Sequence, residues 1–87
     1  MLIRSQDKSR LINLDNTREL RFWECAQGFD ITDCVCPIGH YSTKEKAMRV
    51  LDMIQEAYCK FMSVKNDDAW DGKEAVFQMP EDGNVEV

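Results

Sequence analysis

The sequence predicts a mixed α+β domain, in which an antiparallel β-meander packs against one long amphipathic helix and a short strand lies near the C-terminus. Three observations predict this class. Short runs before residue 37 alternate between apolar and polar residues, as strands do. A single stretch of helical periodicity spans residues 42–61, and a last apolar run ends at Pro80. An antiparallel sheet with one helix across a face buries the apolar surfaces of both.

The first half of the chain predicts four strands. Residues 2–4 and 10–14 are apolar runs separated by a polar, turn-prone segment, which is typical of a hairpin with an exposed, charged tip. Residues 18–25 alternate, with Arg21, Trp23 and Cys25 on the face opposite Leu20 and Phe22. A turn is expected over residues 26–30. The fourth strand is expected over residues 31–36, ended or bulged by Pro37, and residues 38–41 connect it to the helix.

A capping box predicts where the helix begins. Ser42 is suited to the N-cap, and Glu45 follows it three residues later. A helix of about 20 residues would be ~30 Å long. The apolar residues that recur at helical spacing are Ala47, Val50, Leu51, Ile54, Ala57, Tyr58 and Phe61. A polar loop follows, and the last strand is expected over residues 75–79.

Length and charge limit the classes of function. The 87 residues predict one domain over residues 1–80, followed by an acidic tail over residues 81–87. So short a chain buries a small core, which favours a homodimer. The net charge of −5 argues against extended nucleic-acid binding. No apolar stretch resembles a signal peptide or a membrane span, so we expect a cytoplasmic protein that does not bind membranes and keeps its thiols reduced.

Basic residues are concentrated near the N-terminus. Guanidinium groups bind phosphates bidentately, and an indole ring stacks on a base. The expected ligand contacts are therefore Arg4, Arg18, Arg21 and Trp23. Two other interpretations stay open: the charges could protect a sheet edge from aggregation, and the C-terminal segment could cover Trp23.

Four residues have the side chains of metal ligands. Cys25, Cys34, Cys36 and His40 have the spacing C-x8-C-x-C-x3-H, which differs from the usual zinc knuckle. A zinc site and ordinary, half-buried thiols are the alternatives. The sequence contains one histidine and no recognisable catalytic motif, so we expect no enzyme activity and no cofactor.

Three stretches in order carry a resemblance: residues 2–8 (LIRSQDK), residues 39–55 with GHYSTKEKA and VLDMIQ, and residues 76–80 (VFQMP). Together they resemble small proteins carried by phages, prophages and integrative elements of Gram-positive bacteria. The resemblance implies a non-enzymatic binding protein in the bacterial cytoplasm. Its expected role is counter-defence, by sequestering a small anionic, nucleotide-type ligand as a homodimer. The alternative is a protein–protein inhibitor or adaptor that binds a host protein through its helix and acidic C-terminal segment.

Overall fold

The computed structural model describes residues 1–17, 19–33, 36–64 and 76–86. Within these ranges the chain forms two three-stranded sheets and one α-helix, which confirms the predicted α+β class. The elements are β1 (Leu2–Arg4), β2 (Leu11–Asn13), β3 (Arg21–Cys25), β4 (Gly28–Thr32), β5 (Pro37–Tyr41), α1 (Lys44–Val64) and β6 (Val76–Gln78). Within the same ranges, no helix combines the length and the apolar character needed to cross a membrane.

The first sheet has the strand order β2-β1-β6. Strands β1 and β2 form the predicted antiparallel hairpin, with Ile3 opposite Ile12, and both side chains are buried. Strand β6 pairs with β1 in parallel, so Phe77 lies beside Ile3 on the other side. A parallel pair needs a long connection, and here that connection includes the second sheet and the helix.

The tip of the β1–β2 hairpin is held by Asp7. Its carboxylate accepts hydrogen bonds from the hydroxyl and amide of Ser9 and from the hydroxyl of Ser5. These bonds, the Ser9 hydroxyl first, lower the pKa of Asp7 from 3.8 to about 2. Lys8 completes the turn with a φ of 67°. The loop is therefore organised by local hydrogen bonds around one charged group.

The second sheet is the antiparallel meander β3-β4-β5, and it packs against α1. Two boundaries predicted from the sequence are wrong. The turn predicted over residues 26–30 is limited to Ala26 and Gln27, and strand β4 begins at Gly28. Gly28 makes so short a turn possible because it takes a φ of +143°, which glycine adopts without strain. Pro37 begins strand β5 instead of ending a strand, since the first strand position tolerates a residue without an amide hydrogen. The alternative prediction, a bulge at Pro37, agrees with the register, which shifts between the pair Ile31–Gly39 and the pair Thr32–Pro37.

Helix α1 has 21 residues and presents the predicted apolar face to the core. Ala47, Val50 and Ile54 are buried along that face. The predicted capping box, however, is wrong. The N-cap is Thr43, whose Oγ1 accepts from the amide of Lys46 at 3.2 Å.

Ser42 lies one residue before the N-cap and hydrogen-bonds Asp82 instead of the helix. The Ser42 amide and hydroxyl both donate to Asp82 Oδ1, at 2.8 and 3.1 Å. These bonds, the one from the Ser42 amide first, lower the pKa of the Asp82 carboxyl. The Lys46 ammonium adds a bond to the Asp82 carbonyl at 3.0 Å.

The segment after residue 80 was predicted to be an acidic tail, but residues 81–86 lie against the domain. Asp82–Asn84 form a 3-10 turn, and Val85 is buried in the core. At the start of this segment, the Pro80 carbonyl accepts a hydrogen bond of 2.7 Å from the hydroxyl of the buried Tyr41. The core accepts this segment because an apolar residue follows the acidic ones, and because Ser42 and Lys46 hold Asp82. Residue 87 lies outside the described ranges.

Candidate functional site

The outward face of the second sheet brings together residues from three strands. The register aligns Trp23 with Asp30 and Asp30 with His40, so these three side chains form one row across β3, β4 and β5. Alternation along β3 places two further residues on the same face. We call the surface formed by Arg21, Trp23, Cys25, Asp30 and His40 the outer sheet face.

The opposite face of the same sheet fixes this orientation. Ile31 and Tyr41 are fully buried, and Phe22 and Phe29 pack against the core with their rings 6.0 Å apart. A shift of the register by one residue would expose these side chains, so burial of the inner face determines which residues point outward. The outer sheet face therefore follows from the packing beneath it.

Arg21 and Trp23 form an exposed pair on this face. The Arg21 guanidinium carbon lies 5.8 Å from the centroid of the Trp23 ring, within the range of a cation–π contact. Trp23 is 58% exposed. Arg21 also lies 3.8 Å from a Glu19 carboxylate oxygen, and both side chains are largely exposed. Such a surface ion pair contributes little to stability, so an incoming anion can displace it.

Asp30 and His40 form a second pair beside the first. Asp30 Oδ1 lies 2.6 Å from His40 Nδ1, a short charge-assisted contact. The position of His40 is fixed further by Gln6. The Gln6 side chain accepts from the His40 amide at 2.8 Å and donates to its carbonyl at 3.0 Å. Gln6, which follows β1, thus holds strand β5, which carries the His40 imidazole.

Cys25 lies within reach of this pair. The ligand atoms of Cys25, Asp30 and His40 are all within 4.8 Å of one another. The thiol donates to the Gly28 carbonyl at 3.3 Å. Gly28 lies opposite Cys25 in the register, and a Cβ there would be 3.2 Å from His40 Nε2 and 2.6 Å from the Tyr41 carbonyl oxygen. The lack of a side chain at Gly28 therefore lets the imidazole lie next to the thiol.

The predicted ligand contacts are only partly brought together. Arg21 and Trp23 are neighbours, as described above. Arg4 is exposed on β1, in the other sheet, where its Nε donates to the Lys8 carbonyl at 2.8 Å. Arg18 lies outside the described residues. The described part of the C-terminal segment packs beside Ser42, and Trp23 is left exposed.

The predicted metal ligands also separate. Cys25 and His40 meet, but the third member of their group is Asp30, which the sequence did not indicate. Cys36 is a half-buried free cysteine that does not belong to this group, and its backbone amide donates to Asp33 Oδ1 at 2.8 Å. Cys34 lies outside the described residues. Asp30 was missed because residues 26–30 were predicted to be a turn; a two-residue turn before Gly28 would have placed it opposite Trp23.

Fold and site together define a small α+β domain with an aromatic and ionisable outer sheet face. Comparison of the chain with family models, with curated proteins and with solved structures gives no match. The likeness to proteins of phages and integrative elements therefore stays a prediction.

Proposed function

We propose that this chain is a non-enzymatic binding protein of mobile-element origin that sequesters a small anionic, nucleotide-type ligand on its outer sheet face, as a homodimer. Its role would be counter-defence in the bacterial cytoplasm. The observation that carries the proposal is the exposed Trp23 ring with the Arg21 guanidinium beside it, 5.8 Å from the ring centroid.

This pair has the two chemistries that a nucleotide needs. A base that stacks on an aromatic side chain gains about 1–3 kcal/mol. A guanidinium binds phosphate oxygens through two parallel hydrogen bonds. A nucleotide whose base lies on Trp23 can direct its phosphate to Arg21, whose ion pair among the described residues is with the exposed carboxylate of Glu19. The ligand would therefore replace a weak surface contact.

The net charge favours a compact ligand over a long one. A chain with a charge of −5 repels extended phosphate backbones, whereas a local basic and aromatic pair can still bind one small anion. Arg4 lies in the other sheet and is therefore expected to contribute less than Arg21.

Calorimetric titration with a panel of mononucleotides, dinucleotides and cyclic nucleotides tests the proposal. We expect Trp23→Ala to weaken binding by about 5–150-fold, the equivalent of 1–3 kcal/mol. Arg21→Ala should weaken binding of the phosphate-bearing ligands and leave the corresponding nucleosides unaffected. Arg49→Ala is the matched control, because Arg49 is also an exposed arginine in a surface ion pair, 3.5 Å from Glu56 on the helix.

Native mass spectrometry of the purified chain completes the test. Two chains plus the mass of a small ligand are expected. Binding of no member of the panel, or equal affinities for wild type and Trp23→Ala, would contradict the proposed function.

A second candidate is a protein–protein inhibitor or adaptor that uses the helix. Met48 and Met62 are 42% and 44% exposed on α1, and methionine is frequent at adaptable binding surfaces. The acidic segment is a weaker part of this candidate, because Ser42 and Lys46 already bind Asp82. Capture of one host protein that is lost with Met48→Ala but retained with Trp23→Ala would favour this candidate.

A further inference from the structure

Three strands of the second sheet bring a thiol, a carboxylate and an imidazole to one point of the outer sheet face. We propose that Cys25, Asp30 and His40 form a binding site for a divalent transition-metal ion of the zinc type, since their ligand atoms lie within 4.8 Å of one another. This site differs from the cysteine-rich cluster expected from the sequence, because it rests on one thiol and one imidazole, with a carboxylate that orients the imidazole. The assignment does not rest on the proposed nucleotide binding.

The chemistry of the three groups selects the class of ion. Thiolate sulfur and imidazole nitrogen are preferred by Zn²⁺ and related ions, whereas Mg²⁺ and Ca²⁺ require oxygen ligands. Metal–ligand distances of ~2.0–2.3 Å place neighbouring ligands of a tetrahedral ion about 3.3–3.8 Å apart. A group whose atoms lie within 4.8 Å reaches this separation by small side-chain rotations. His40 is 47% exposed, so it has room for such a movement.

The distances assign a role to each residue. Asp30 Oδ1 and His40 Nδ1 are 2.6 Å apart, too close for two ligands of one ion, so this contact is a hydrogen bond. With its proton on Nδ1, the neutral ring presents the lone pair of Nε2. That atom lies over Gly28, opposite Cys25 in the register. Cys25 Sγ and His40 Nε2 are therefore the direct ligands, and Asp30 is a positioning residue that orients the imidazole.

The fold holds these groups before any ion binds. Gln6 is bonded to both the amide and the carbonyl of His40, which fixes the backbone of β5 at this residue. Gly28 keeps the space between the imidazole and the thiol open. Groups carried by paired strands are held more accurately than groups on loops. Among the described residues no further ligand joins this group, so the remaining coordination positions would take water or an exogenous ligand.

Cobalt titration of the full chain, kept reduced with a phosphine, tests this inference. Co²⁺ is the probe because a thiolate ligand produces a charge-transfer band in the near ultraviolet. We expect this band to saturate at one ion per chain and to disappear when Zn²⁺ is added. The titration contains no nucleotide, so a failure to bind Co²⁺ would not bear on the proposed nucleotide site. In the same way, a failure to bind nucleotides would not bear on the metal site.

Variants locate the ion. Cys25→Ser should abolish the charge-transfer band, and His40→Ala should lower the affinity for Co²⁺ and weaken the visible d–d bands. Asp30→Asn should lower the affinity by about 10–100-fold while the band persists, as expected of an outer-shell partner. Cys59→Ser is the matched control, since Cys59 is an exposed thiol on the helix, and it should bind as wild type does. Circular dichroism of each variant confirms that it folds.

Two results would overturn the assignment. A band that survives Cys25→Ser but is lost with Cys36→Ser or Cys34→Ser would place the ion on other thiols. A wild-type chain that shows no thiolate band at millimolar Co²⁺ has no such site.

Discussion

Removing the hydroxyl of Tyr41 should measure how strongly the C-terminal segment is attached to the domain. Tyr41 is fully buried, and its hydroxyl donates to the Pro80 carbonyl at 2.7 Å. Burial raises the pKa of this hydroxyl well above its ordinary value, so it acts as a neutral donor throughout the accessible pH range. Tyr41→Phe deletes the donor and leaves the ring in place.

The magnitude follows from what happens to the acceptor. A buried carbonyl left without a partner costs about 1–3 kcal/mol, whereas the net loss of one hydrogen bond costs about 0.5–1.5 kcal/mol. The Pro80 carbonyl also accepts from Gln6 Nε2 at 3.1 Å, so it keeps a partner in the variant. The cost is therefore that of one lost hydrogen bond, and we expect the free energy of unfolding to fall by about 1 kcal/mol. In a domain of this size that loss lowers Tm by about 4–8 °C.

Urea and thermal denaturation followed by circular dichroism provide the assay. The urea midpoint should fall with no change in the m-value, since the folded state stays equally compact. Tyr58→Phe is the matched control, because Tyr58 is a half-buried tyrosine on α1 that packs against Phe61. If Tyr41→Phe is as stable as wild type, or loses no more than Tyr58→Phe, the reasoning about the Pro80 bond is refuted.

Three further predictions concern the turns and the helix start. Gly28→Ala should destabilise the domain by about 1–3 kcal/mol, measured by urea denaturation, because φ is +143° and the new Cβ would be 2.6 Å from the Tyr41 carbonyl oxygen; unchanged stability would contradict that geometry. The pKa of Asp7 is lowered from 3.8 to about 2, so its stabilising effect is complete above pH 3.8 and is lost as the pH falls towards 2. Asp7→Asn should therefore reduce the fall in Tm over that interval, and an NMR titration that finds an ordinary Asp7 pKa would refute this. Thr43→Ala should cost about 1 kcal/mol through loss of the N-cap; a tenfold weaker effect in thermal melting would argue against the Lys46 amide bond.

Local patterns in the sequence predicted the elements whose stabilising contacts are close in the chain. The helical spacing of Ala47, Val50 and Ile54 predicted the buried face of α1, because periodicity reports directly which side chains share a face. The hairpin of β1 and β2 was also predicted from local sequence, since a polar turn separates two apolar runs. The α+β class followed from these elements together.

Contacts between distant residues decided the features that the sequence did not reveal. Ser42 was predicted to cap the helix, but its donors bond to Asp82, 40 residues away, and Thr43 caps it instead. Residues 38–41 were predicted to be a connection. They form strand β5 because β4 pairs with them on one side and Gln6 bonds to Ile38 and His40 on the other.

In the candidate site, too, some residues were predicted from the local pattern and others were placed only by contacts between strands. Alternation along one strand was enough to place Arg21, Trp23 and Cys25 on a common face, and the structure places them there. Asp30 and His40 join them only through the cross-strand register, which depends on the two-residue turn before Gly28 and on the burial of Ile31 beneath. The sequence by itself thus determined the first hairpin, the shared faces of β3 and the buried face of α1, because these depend on residues close in the chain. The tertiary structure decided the bounds of β4 and β5 and which residues meet, because hydrogen bonding and burial across the sheet select one register from several that the local pattern allows.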